Sequence, residues 1–111
     1  MRLWHVVLTV AGPAEDLAGI DAALRRFINE RPFIRSLRYD EWRAEVSYWE
    51  EADDMLDAAS LALRLWNEHR DSAKLPDWPV VGLEVVERDT FQARNVPVPV
   101  APTETVPRRF S

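Results

Sequence analysis

Arg43-Ala44-Glu45-Val46-Ser47-Tyr48-Trp49 alternates without a break: Ala44, Val46 and Tyr48 fall on one side, and Arg43, Glu45, Ser47 and Trp49 on the other. A period of two is the signature of a strand with one side against a core. The alternation extends backwards, where Leu37 and Tyr39 share one parity and Arg38 and Asp40 the other. Two strands therefore occupy Phe33 to Glu50, joined by a tight turn near Asp40-Glu41-Trp42 that contains no glycine. On both sides of this pair the period becomes that of a helix.

Before it, Leu17, Ile20, Leu24, Phe27 and Ile28 form one apolar stripe, opened by Gly12-Pro13 and closed by Pro32. Acidic Glu15, Asp16 and Asp21 lie early in that segment and Arg25, Arg26 and Arg31 late, which complements the helix dipole. After the pair, Met55, Ala58, Ala59, Ala62, Leu65, Trp66 and His69 recur at helical spacing. The acidic cluster Glu50, Glu51, Asp53, Asp54 and Asp57 opens this second helix, and helix-start electrostatics explains it better than a cation site. The apolar run of residues 3–10 and the segment Val80 to Val86 read as the first and last strands.

Strand, helix, strand, strand, helix, strand is the split βαβ order. The expected fold is α+β and ferredoxin-like (βαββαβ), a four-stranded antiparallel sheet with two helices on one face. Parity then assigns Trp4, Val6, Leu8, Val10, Leu37, Tyr39, Val46, Tyr48, Val81, Leu83 and Val85 to the helix side. Leu3, His5, Val7, Thr9, Arg38, Arg43, Glu45, Ser47, Trp49, Glu84, Val86 and Arg88 line an open side. Apolar area left in water there costs roughly 25 cal/mol per Å2. A second copy of the chain, the C-terminal tail or a ligand is expected to cover part of it.

The chain's 111 residues allow one domain, assigned to residues 1–91, with residues 92–111 as a proline-rich tail outside the core. That tail contacts its own sheet or a partner chain, and Val96-Pro97-Val98-Pro99-Val100 is suited to docking as an extended strand. No apolar run is long enough for a membrane span, and the N-terminus reads as a strand and not a signal peptide. With no cysteine, thiol chemistry and cysteine metal sites are excluded. A net charge of −5 argues against nucleic-acid binding. Lys74 is the only lysine among 14 basic residues, and alanine is frequent, which suggests a GC-rich bacterial genome. A cytoplasmic location is expected.

Catalytic signals are absent. The two histidines, His5 and His69, fall in different layers of the expected fold, so no metal site is expected. His69-Arg70-Asp71 matches the start of a kinase catalytic loop, but no glycine-rich loop accompanies it. Gly12, Gly19 and Gly82 are too scattered to cradle a phosphate, and no cofactor is expected. Of five tryptophans, Trp4 and Trp66 belong to the core, Trp78 pins the loop before the last strand, and Trp42 and Trp49 are free to stack a ligand or partner. The candidate ligand or interface residues are His5, Arg43, Glu45, Trp49 and Glu84, with no catalytic residue assigned.

Leu8-Thr9-Val10-Ala11-Gly12-Pro13 followed by Asp16-Leu17-Ala18-Gly19-Ile20 resembles the start of ACT-type regulatory domains. That resemblance implies effector binding at Ala11, Gly12 and Pro13, near a subunit interface. The element order and size are also similar to the dimeric α/β-barrel proteins, which include cofactor-independent monooxygenases with a pocket between helices and sheet. RNA-recognition domains share the topology, but Glu45 stands where their third strand needs an exposed aromatic. The expected function is a small homodimeric binding or regulatory module with a possible small-molecule ligand. The alternative is a cofactor-independent enzyme of the dimeric α/β-barrel type with a pocket near His5 and Trp49.

Overall fold

The computed structural model describes residues 1–94 and 105–110. Strand β1 (Arg2–Ala11) leads into α1 (Leu17–Glu30), then β2 (Ile34–Tyr39), β3 (Arg43–Ala52), α2 (Met55–Ala73) and β4 (Val80–Glu87). The chain continues into a short helix α3 (Arg88–Arg94) and a last strand β5 (Pro107–Arg109). These make one sheet in the order β4-β1-β3-β2-β5, antiparallel throughout except for the parallel β2–β5 pair.

Local chemistry accounts for the boundaries. Asp16 caps α1 by accepting from the Gly19 amide at 2.9 Å, and Asp54 caps α2 by accepting from the Asp57 amide at 2.8 Å. The turn between β2 and β3 forms without glycine because Asp40 Oδ1 accepts from the amides of Trp42 (3.0 Å) and Arg43 (3.1 Å). At the end of α2, Lys74 takes a left-handed conformation with φ 57°.

The register places Val6 beside Tyr48 and Val85, Leu8 beside Val46 and Leu83, and Val10 beside Ala44. All of these except the exposed Leu83 meet Ile20, Leu24 and Phe27 of α1 and Ala62, Leu65 and Trp66 of α2 in one core. Helices α1 and α2 thus share a face of the sheet. Each fully buried large apolar side chain contributes roughly 1.5–3 kcal/mol of transfer free energy. Trp66 lies parallel to Trp78 with ring centroids 6.5 Å apart, and each indole N–H donates to a loop carbonyl, of Pro76 and Pro13 respectively, at 2.9 Å. Trp78 also lies over Gly12, where a Cβ would overlap the indole. The strand–helix turn singled out by the ACT-type resemblance is covered by the chain's own tryptophan.

Four expectations need correction. Among the described residues the sheet has five strands and the helices number three, because Pro107–Arg109 returns to the sheet and Arg88 opens a helix. Pro107, Arg108 and Arg109 pair with Leu37, Arg38 and Tyr39, so this part of the tail belongs to the sheet and does not lie outside it. Val81 does not face the helices: the register slips between Thr9 and Val10, and the bulged Val81 is 61% exposed. Met55, read as part of the buried stripe of α2, is exposed at the helix start. The reading of Val96 to Val100 as a docking strand lies outside the described residues.

Candidate functional site

The second face of the sheet carries the residues that parity sent there, but it is not bare. His5 sits opposite Trp49 on β3 and Val86 on β4. Helix α3 follows β4 without an intervening loop and lays Phe91 on the His5 ring, centroids 4.0 Å apart at 27°. Trp49 meets both rings edge-on, at 5.0 Å from His5 and 5.1 Å from Phe91. His5 is left only 4% exposed, so the expectation of an open histidine is overturned. The signal for this was faint: one aromatic residue in a polar segment, with no period to mark a helix.

Arg35 closes the cluster. Its guanidinium lies 5.2 Å from the Phe91 ring centre, and its Nη1 is 3.4 Å from His5 Nε2. Facing a cationic donor, Nε2 serves as the acceptor and Nδ1 carries the proton. Nδ1 is buried and has no partner among the described residues. Burial, then the Arg35 charge, lowers the His5 pKa below its ordinary value, while Glu84 acts weakly in the opposite direction.

The five candidates therefore divide. His5 and Trp49 touch, and Glu84 reaches them only through its field. Glu45 lies further along the face, opposite Thr9, and accepts from Arg38 at 3.1 Å. Arg43 is at the far end, bonded to Asp40 at 3.0 Å and stacked over Phe110 at 4.1 Å. Arg38 covers the same Phe110 ring at 5.0 Å. Sequence reasoning counted the tail among the possible covers of this face but did not single out Arg35, Phe91 or Phe110.

Clefts elsewhere are shallow. Four of them span 160 to 690 Å3, and none of the four is lined by His5, Trp49 or Tyr48. Among the described residues no three His, Cys, Asp or Glu side chains gather as metal ligands. No described helix is long and apolar enough to cross a membrane. Residues 3–101 match the family model described as Domain of unknown function (DUF8830).

The chain belongs to the DUF8830 family. A search of curated proteins finds no match. The DUF8830 match runs from β1 through α3 and so includes His5, Arg35, Trp49 and Phe91, but it stops before β5.

Proposed function

We propose that this DUF8830 chain is a ferredoxin-like, homodimeric binding or regulatory module of the cytoplasm without chemistry of its own, and that two copies join along β4. The observation that carries this reading is the contrast between the two sheet edges. At one edge β5 is three residues long and begins with proline, a poor template for further pairing. At the other, β4 offers eight residues with no strand beside them among the described residues.

An apolar stripe flanks that open edge. Leu56, Ala59 and Leu63 follow one another at helical spacing on α2, and the same row continues to Trp66 and Arg70. Those last two reach Pro76 and Asp77, which lead into β4, so the stripe runs along the β4 side of the helix. Leu56 is 76% exposed, and Met55, Leu63, Val81 and Leu83 are exposed too. These five exposed apolar side chains lie on α2 and β4, the two elements that flank the open edge. Apolar side chains left in water beside an unpaired strand are what a second copy of the chain would cover.

His5, the residue best suited to proton transfer, supports a non-catalytic reading. Phe91 covers its ring, Trp49 closes its edge, and Arg35 holds its Nε2.

Sedimentation or light scattering at micromolar concentration tests the proposal. The expected result is twice the 12.8 kDa chain mass. Leu63→Glu combined with Val81→Lys should give a folded monomer by circular dichroism, whereas Phe33→Ser, an exposed position elsewhere, should leave the dimer intact. A parent chain that stays monomeric throughout the concentration range overturns the proposal.

A further inference from the structure

We infer that the second sheet face, at its β2–β5 edge, binds a compact phosphate-class dianion through Arg35, Arg38 and Arg108. The three arginines line one cleft of 160 Å3, together with Ser36 and Thr105. That volume lies below the range that takes drug-sized ligands and suits a single small oxyanion.

Two observations suggest that the cluster is built for charge and is not an accident of the surface. The β2–β5 register sets Arg38 directly opposite Arg108. Like charges facing each other across a strand pair are destabilising unless something neutralises them. Acidic residues also outnumber basic ones 19 to 14, and Arg2, Arg25, Arg31, Arg43, Arg70 and Arg88 each stand beside a carboxylate. Arg35 and Arg108 have no carboxylate partner among the described residues. Among the described residues Arg35 meets the His5 nitrogen and the Phe91 ring. Arg38 has one bond to Glu45, which leaves donors of its fork unused. Planar guanidinium forks match tetrahedral oxyanions bidentately, and three of them favour two negative charges over one.

The bound anion also communicates with His5. The Arg35 charge, beside His5, disfavours the imidazolium. An anion on Arg35 offsets that charge, so His5 should hold its proton to higher pH when the site is filled. The site stands whether or not two chains join along β4, since it lies at the opposite edge of the sheet.

Calorimetric titration with inorganic phosphate at pH 8, with sodium chloride at equal ionic strength as the reference, tests the inference. Saturable phosphate binding is expected, with succinate, the carboxylate alternative, roughly tenfold weaker or more. Arg35→Gln and Arg108→Gln should each weaken phosphate by about tenfold or more, Arg108→Lys should recover only part of the loss, and Arg64→Gln should change nothing. Circular dichroism confirms that each variant folds, and an NMR titration of His5 should move to higher pH on phosphate addition. Phosphate heats indistinguishable from chloride would overturn the inference, as would tighter binding of succinate. So would Arg64→Gln weakening phosphate as much as the two site variants.

Discussion

Against one face of the sheet, Phe27, Leu65, Trp66 and Trp78 pack with the alternating valines and leucines of β1 and β3 in a continuous core that excludes water. Against the other, a single half-buried Phe91 on a seven-residue helix covers His5, and Phe110 is held between two guanidiniums. Stability on the first face scales with apolar area removed from water. On the second it rests on a few ring and cation–π contacts, worth roughly 0.5–1 kcal/mol each at exposed sites. The second face is therefore the one that local opening and changes of charge reach first.

Substitution should separate the two faces clearly. Phe27→Ala removes a fully buried ring and should cost about 3–5 kcal/mol in chemical denaturation. Deleting residues 105–111 removes β5, the buried Pro107 and the Phe110 stack, and should cost about 1–3 kcal/mol while leaving α1 and α2 intact by circular dichroism. No loss on deletion would show that the tail belongs outside the core after all. Phe91→Ala should cost about 1–2 kcal/mol, with faster amide exchange confined to α3 and its neighbours on β1 and β4. An effect as large as that of Phe27→Ala would erase the distinction between the faces.

Acidity gives a finer probe. Because the His5 pKa is lowered in the folded chain, its neutral form is the one that folding favours. Its contribution is complete above the unfolded value near 6.5 and is lost as pH falls from there through the lower folded value. The thermal midpoint should therefore drop between pH 7.5 and 5.5, and His5→Phe should flatten that part of the curve. An unchanged slope in the variant would assign the drop to other groups. The smallest effect belongs to the core: the Tyr48 hydroxyl is buried with no partner among the described residues, and burial pushes its pKa up. Tyr48→Phe should be neutral or stabilising by up to about 1 kcal/mol in the same denaturation measurement.

The helix-covered face was legible in the sequence for a physical reason. Burial against two helices forces strict parity on Trp4, Val6, Leu8 and Val10 and a clean stripe on α1, and periodicity reports nothing else so directly. The reading failed where burial is partial or local. Arg88–Arg94 holds two apolar residues in seven, Phe91 and Ala93, so no helical period exists to be found. Pro107–Arg109 is an edge strand that begins with proline, and its membership depends on Arg38 and Tyr39, some 70 residues earlier. A bulge at Val81 shifts parity by one without any mark in a run of apolar residues. Of the candidate site, parity put His5 and Trp49 on one face, and the β1–β3 register that makes them neighbours left no mark in the sequence. Its closure by Arg35 and Phe91 depended on a strand irregularity at Ile34–Ser36 and a helix that leave no pattern.

The pairing of β5 with β2 also has a consequence for the newborn chain. Until residue 109 has left the ribosome, the backbone groups of Leu37, Arg38 and Tyr39 that β5 will take up have only water to bind, and that flank is exposed to other nascent chains. The sheet thus closes from its middle outwards, and the last ribbon to arrive completes both its border and the arginine pair that faces across it.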